Sequence, residues 1–116
     1  MFKRKAASVS FALKGIRIAY MEESNFQIQL VLGALTILLG WYYRISATEW
    51  LFVITACSVV LSTELFNTAL EELCDMLKSS HDPHVAKIKD LSAGAVLIAS
   101  VMALAIGLTI FLPKVF

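Results

Sequence analysis

The sequence predicts an all-α membrane protein in which an amphipathic helix on the membrane surface precedes three transmembrane helices. Hydrophobic residues make up 59% of the 116 positions, against roughly 45–50% in ordinary soluble domains. The run from Leu91 to Leu112 contains no charged residue and is long enough to cross about 30 Å of hydrocarbon. We expect one domain, residues 1–116, without a separate soluble module, so any functional site must lie on the membrane helices.

The N-terminal segment, about residues 2–20, repeats apolar side chains every three or four positions, which places them on one helical stripe. The stripe consists of Phe2, Ala6, Val9, Leu13, Ile16 and Tyr20. Polar and basic residues line one flank of it: Lys3, Ser10, Lys14 and Arg17. Such a helix lies in the membrane interface, where the apolar stripe contacts acyl chains and the basic side chains reach the headgroups. A soluble amphipathic helix is the alternative interpretation.

Three apolar runs mark the spans, which we place at about 26–43, 50–77 and 91–112. A turn at 44–49 separates the first two spans. Because Pro83 interrupts helical periodicity, we expect residues 78–90 to form a polar loop.

The distribution of Lys and Arg predicts the orientation of the spans. Residues 1–26 hold five of these side chains and the 78–90 segment holds three, whereas only Arg44 and Lys114 lie at the other boundary. Positive charge is enriched on the cytoplasmic side of membrane proteins. We therefore expect a multi-pass protein of the cell inner (cytoplasmic) membrane, with the N-terminus and the 78–90 segment facing the cytoplasm.

Small residues recur every four positions along the third span, at Ala95, Ala99, Ala103 and Gly107. This pattern lets helix backbones approach closely, within one chain or between subunits. Three spans shield a polar site poorly from lipid, so we expect a homo-oligomer.

Polar residues on the second span form the most informative pattern in the chain. Glu64, Asn67, Glu71 and Asp75 follow one another at intervals of three, four and four residues, so the three carboxylates fall within about 40° of one another on a helix. A charged residue near the centre of a span costs at least about 2.5–3.5 kcal/mol, so this stripe is expected to face protein, water, metal or substrate.

These side chains suit two chemical roles. Carboxylates nearer water can ligate Mg²⁺, which prefers oxygen ligands, and the deepest one, Glu64, suits a base that accepts a hydroxyl proton. Asn67 can orient a substrate hydroxyl or the Glu64 carboxylate, or it can form an ordinary interhelical hydrogen bond. Further polar groups precede the first and third spans on the same side: Glu22, Glu23, Lys87, Lys89 and Asp90.

Nucleotide binding has no independent signature in the residues. The sequence contains neither GxxxxGK followed by Ser or Thr nor GxGxxG. The cluster of His81, Asp82 and His84 lacks a fourth partner and is interpreted as a hydrophilic loop rather than a zinc site. We expect no nucleic acid partner.

Two segments resemble the small prokaryotic integral-membrane diacylglycerol kinase family, which also contains the undecaprenol kinases. Residues 64–71, ELFNTALE, are similar to the family pattern E-x-x-N-S/T-A-I/L-E. Residues 87–96, KIKDLSAGAV, are similar to A-K-D-x-x-A/S-A/G-A-V. The resemblance spans nearly the whole chain, and it implies a surface helix plus three spans that assemble as a homotrimer with shared active sites.

The resemblance also implies roles for individual residues. Glu64 matches the proton acceptor and Asn67 a neighbouring active-site asparagine, and both are expected to be catalytic. Glu23 and Glu71 match the metal ligands of the family. The ATP-binding positions are matched by the same two residues together with Arg4, Phe11, Lys89 and Asp90. Lys14, Gly15 and Glu64 match lipid-substrate positions. The sequence departs from the pattern at Phe11, where some members have Tyr, and at Asp82, where the family usually has His, although His81 is adjacent.

Together these features predict a lipid kinase that transfers the γ-phosphoryl group of ATP, with Mg²⁺, to the hydroxyl of undecaprenol or diacylglycerol. The segments 93–96 and 110–114 resemble the undecaprenol kinase branch more than the classical diacylglycerol kinases. The rival function is a small proton-coupled multidrug transporter, which would favour four spans and a lone carboxylate in mid-membrane. A non-catalytic scaffold would leave the Glu64 stripe unexplained.

Overall fold

The computed structural model describes residues 1–77 and 82–116, and in those residues it contains four helices and no strand. They are α1 (Phe2–Glu22), α2 (Ser24–Tyr42), α3 (Ala47–Met76) and α4 (Pro83–Val115). The helices α2, α3 and α4 are each long and apolar enough to cross a membrane. The chain is therefore an all-α, multi-pass membrane protein with three candidate spans, as the sequence predicts.

A single extended residue, Glu23 (φ −115°, ψ 111°), separates α1 from α2. Just beyond it, Phe26 is buried with only 2% of its surface exposed, which anchors the start of α2. Along α1 only Ala19 is buried, and apolar side chains such as Phe2 and Phe11 are open to the surroundings. That exposure suits a helix in a lipid interface, and the interfacial location stays a prediction.

The turn from α2 to α3 is tight. Arg44 adopts a left-handed conformation (φ 52°), and the N–H of Ile45 donates to the carbonyl of Gly40 at 3.1 Å, as in a Schellman helix end. A Cβ on Gly40 would lie 2.8 Å from the Trp50 ring. Glycine at this position therefore lets α2 end against the first turn of α3.

The second span begins earlier than expected, because Ser46 caps α3. The N–H of Glu49 donates to Ser46 Oγ at 3.2 Å, and the N–H of Ser46 donates to Glu49 Oε1 at 3.0 Å. This reciprocal pair is a capping box, which satisfies free N–H groups at a helix start. The expectation of a turn through residue 49 is thus wrong, since residues 47–49 form the first turn of the helix.

The polar loop expected at 78–90 is also wrong in its second half. Pro83 is the first residue of α4, where a missing N–H costs nothing, and Asp82 caps the helix by accepting a hydrogen bond from the His84 N–H at 2.7 Å. Residues 83–90 are therefore helical, and His81 lies outside the described residues. At its other end α4 continues through Pro113 to Val115.

The pair α3 and α4 forms the main packing unit, and α2 contacts α3 less extensively. Ile45, Val53 and Ile110 form a small apolar cluster at the end opposite α1. There Lys114 Nζ also donates to Glu49 Oε2 at 2.8 Å and joins the end of α4 to the start of α3.

An apolar groove of about 420 Å³ runs between α2, α3 and α4. Its lining includes Leu32 and Gly33 of α2, Cys57 of α3, and Ala103 and Gly107 of α4. The small residues of α4 lie partly inside the chain and partly on its surface. Ala99 is buried, whereas Ala95 is exposed on the chain surface.

Candidate active site

The polar face of α3 passes from a buried to an open environment along the helix. Glu64 is 2% exposed and Asn67 is 8% exposed. One turn later Glu71 is half-buried, and Asp75 is exposed. The buried carboxylate at one end of the face could serve as a base away from water. The more accessible carboxylates at the other end could bind a cation close to water.

Asn67 links two helices through both ends of its amide. Its Nδ2 donates to Glu71 Oε1 at 3.2 Å, and its Oδ1 accepts from Ser92 Oγ of α4 at 2.8 Å. The amide therefore contacts Glu71 rather than Glu64. Of the two active-site roles expected for Asn67, a contact with the Glu64 carboxylate is not observed among the described residues, and orientation of a substrate hydroxyl stays a prediction. The interhelical hydrogen bond, an alternative interpretation of this residue, is present.

The Glu64 carboxylate is held from α2 instead. Gln29 Nε2 donates to Glu64 Oε2 at 3.2 Å, across 35 residues of chain. Sequence reasoning missed Gln29 and gave Ser92 no role. The available signal was weak, since each is a lone uncharged polar residue in an apolar run, and such residues in spans serve as interhelical hydrogen-bonding groups.

Glu23, the residue between α1 and α2, contributes a further carboxylate near the polar face of α3. Partial burial and, next, repulsion from the carboxylates of Glu71 and Glu64 raise the pKa of Glu23 above its ordinary value. Three carboxylates from the α1–α2 junction and α3 therefore influence one another electrostatically. A cation bound near these carboxylates would relieve that repulsion.

This donor set fits Mg²⁺ in its usual protein environment. In the described ranges, 1–77 and 82–116, no group of three or more His, Cys, Asp and Glu side chains is arranged to hold a metal. Mg²⁺ is usually bound by only one or two carboxylates, with substrate phosphates and water completing its ligands. The two expected ligands, Glu23 and Glu71, are that number of carboxylates, and their role as Mg²⁺ ligands stays a prediction.

The third span contributes charge beside the open end of the α3 face. Lys89 Nζ donates to Asp75 Oδ1 at 3.1 Å, with 39% of the lysine side chain and 67% of the aspartate side chain exposed. Asp90 follows on the exposed surface of α4. An exposed ion pair of this kind contributes little to stability, and the role of Lys89 at a phosphate stays a prediction.

The four residues of α1 that are expected to bind ATP or lipid divide into two groups. Arg4 and Phe11 are exposed, and in the part of the chain that the structure describes no side-chain hydrogen bond joins either residue to α3. Gly15, by contrast, lines an apolar cavity of about 440 Å³ between α1 and α3, together with Leu65 and Thr68. Lys14 is exposed beside it.

Fold and site together define a small multi-pass membrane protein in which polar side chains of α2, α3 and α4 are joined by hydrogen bonds. The family model for prokaryotic diacylglycerol kinase matches residues 10–111. The chain therefore belongs to the prokaryotic diacylglycerol kinase family. Membership makes it an enzyme, a lipid kinase.

The relatives that this chain is similar to bear two different names. The chain is 35% identical over 101 residues to the undecaprenol kinase of Bacillus subtilis (strain 168), covering 87% of this chain and 82% of the relative. It is 30% identical over 97 residues to a diacylglycerol kinase of Helicobacter pylori (strain ATCC 700392 / 26695), covering 84% and 76%. Against the diacylglycerol kinase of Escherichia coli (strain K12) the identity is 26% over 102 residues, covering 88% and 84%.

Proposed function

We propose that this chain transfers the γ-phosphoryl group of ATP to the hydroxyl of a long-chain lipid alcohol, undecaprenol or diacylglycerol. The observation that carries the proposal is the buried Glu64 carboxylate, hydrogen-bonded by Gln29 and continued along α3 by Asn67 and Glu71. A buried carboxylate that has no basic partner among the described residues suits a base better than a structural ion pair.

In this reaction Glu64 accepts the proton of the lipid hydroxyl as its oxygen attacks the γ-phosphorus. The new oxygen–phosphorus bond forms in line with the bridging bond that breaks, and ADP departs with the electron pair. Glu64 suits this role because its carboxylate is buried at the apolar end of the polar face, away from water. Asn67 acts beside it by holding Glu71.

The nucleotide is proposed to bind at the more open end of the same face. Glu23 and Glu71 would hold Mg²⁺, which when bound neutralises charge on the phosphates. Lys89 would leave Asp75 and neutralise charge that develops in the transition state, with Asp90 as a further nucleotide contact.

Arg4 and Phe11 are proposed to contact the nucleotide in an oligomer. In the described chain both side chains are exposed on α1. A homotrimer with shared active sites would bring the α1 of one subunit towards the α3 face of another, and it would cover the polar groups that three spans leave poorly shielded. The proposal therefore includes the trimer.

The lipid is proposed to approach from the membrane side, with its head near Lys14 and Gly15. Gly15 lines the cavity between α1 and α3 together with Leu65, the residue after Glu64. Undecaprenol is the proposed preferred acceptor, supported by the 35% identity to an undecaprenol kinase against 30% and 26% to two diacylglycerol kinases. In the cell the site would face the cytoplasm from the inner membrane, where ATP is available.

The test is a phosphorylation assay on purified protein in mixed micelles with labelled ATP and Mg²⁺. Undecaprenol and diacylglycerol are supplied together, and the two labelled products are separated. We expect undecaprenyl phosphate to exceed phosphatidic acid by at least about tenfold at equal concentrations, or roughly 1.4 kcal/mol of differential transition-state binding. A product ratio favouring phosphatidic acid would reverse the acceptor, and absence of both lipids' products would overturn the proposed reaction.

A further inference from the structure

Gln29 occupies a position that the proposed reaction leaves without a role. It is half-buried on α2 and lines the apolar groove between α2, α3 and α4. Its Nε2 donates to Glu64 Oε2 at 3.2 Å. Its own Oε1 is buried and has no hydrogen-bond partner among the described residues.

The polarity of this contact fixes the orientation of the glutamine amide. Glu64 Oε2 accepts the hydrogen bond, so the NH₂ group of Gln29, which is the donor end of the amide, faces Glu64. The amide carbonyl is then turned away and has no hydrogen-bond partner among the described residues, which is unfavourable for a buried polar group. An apolar side chain of the same length would bury no such group.

We infer that Gln29 is a positioning residue that acts through Glu64, an inference that rests on the proposed function. Its Nε2–H holds Oε2 of Glu64, and no hydrogen bond among the described residues involves the other oxygen, Oε1. The carboxylate is thereby fixed with Oε1 left to accept the proton of the lipid hydroxyl. A base held in one rotamer remains within reach of that proton, and misplacement of a reacting group by about 1 Å can cost on the order of 10²-fold in rate.

Gln29→Met tests the inference, because methionine preserves length and apolar packing but removes the donor. With wild-type protein active, we expect kcat for lipid phosphorylation to fall by about tenfold or more, while KM for ATP and KM for the lipid change by less than about twofold. Gln29→Glu preserves the shape of the side chain and replaces the donor by a carboxylate, so it is expected to lower kcat more than Gln29→Met does. This second variant provides the test if Gln29→Met fails to fold.

The matched control is Thr36→Val on the same face of α2. Thr36 lines the same groove, but its hydroxyl donates to the carbonyl of Leu32 in its own helix. We expect this variant to retain wild-type kcat, so that a loss specific to Gln29 is separated from a general disturbance of the groove.

A double variant separates positioning from a merely structural role. In a Glu64→Gln background, Gln29→Met is expected to lower the residual kcat by less than about twofold, because the carboxylate it positions is gone. Equal losses in both backgrounds, or a Gln29→Met enzyme with kcat within about twofold of wild type, would overturn the inference alone. A wild-type protein that phosphorylates no lipid would overturn the proposed function and this inference together.

Discussion

The hydroxyl of Ser92 on α4 donates to the Oδ1 of Asn67 on α3 at 2.8 Å, and both side chains are buried. This contact fixes which end of the Asn67 amide faces α4 and leaves Nδ2 to donate to Glu71. A hydroxyl of one span thus determines the orientation of a carboxylate on another. The third span therefore takes part in building the site as well as in shielding it.

We expect Ser92→Ala to destabilise the protein and to weaken nucleotide binding. The substitution leaves Asn67 Oδ1 without its donor, and polar contacts between membrane helices contribute about 0.6–2 kcal/mol. Thermal unfolding in one detergent measures the first effect, and KM for ATP measures the second. Ser58→Ala, on an exposed position of α3, is the control. A Ser92→Ala protein with wild-type unfolding temperature and wild-type KM would contradict this role.

The raised pKa of Glu23 predicts how stability depends on pH without Mg²⁺. Burial and repulsion from Glu71 and Glu64 favour the protonated carboxyl in the folded state, so the folded protein binds more protons than the unfolded chain. Stability contributed by this group is therefore lost as pH rises through its raised pKa. We expect Glu23→Gln to unfold at a higher temperature than wild type at neutral pH, and at the same temperature in acid.

Addition of Mg²⁺ should reverse that difference, because a cation relieves the repulsion only where the carboxylate is present. We expect Mg²⁺ to raise the unfolding temperature of wild type more than that of Glu23→Gln. Glu22→Gln, on the exposed neighbouring residue, should respond to Mg²⁺ as wild type does. Equal Mg²⁺ responses of wild type and Glu23→Gln would count against Glu23 as a ligand.

The small-residue stripe of α4 predicts two different responses to the same enlargement. Ala99 is buried within the chain, so Ala99→Leu overpacks that position and should destabilise by about 1–3 kcal/mol. Ala95 is exposed, so Ala95→Leu should leave the protomer fold intact and shift the oligomer mass if subunits meet there. Thermal unfolding and light scattering distinguish these effects. Unchanged mass after Ala95→Leu would remove Ala95 from the subunit interface.

The spans could be predicted from sequence because lipid imposes long apolar runs, whereas their ends could not be read from hydropathy. Ser46 and Asp82 decide where α3 and α4 begin, through capping hydrogen bonds. The capping box at Ser46 and Glu49 was legible as a Ser-x-x-Glu pattern. Pro83 was interpreted as a helix breaker, although proline is favoured in the first turn of a helix.

The site could be predicted only as far as a single helix determines it. Glu64, Asn67 and Glu71 share a face because their spacing follows the helical repeat. The partners Gln29 and Ser92 depend on the register between helices, which no periodicity within one span contains. The same limit explains why several partners of Asn67 stayed open in the sequence, Glu64 among them, since spacing alone does not tell which carboxylate the amide contacts.

The central claim is that Glu64 is the base of a lipid kinase, and the turnover of Glu64→Gln tests it most directly. Phosphorylated lipid formed per enzyme from labelled ATP, Mg²⁺ and saturating undecaprenol is measured for wild type, Glu64→Gln and Glu71→Gln in the same micelles. We expect Glu64→Gln to fold and bind nucleotide normally but to lose about 10²-fold or more in kcat, whereas Glu71→Gln mainly raises KM for ATP. A Glu64→Gln enzyme that turns over within a few-fold of wild type would contradict the assignment of the base.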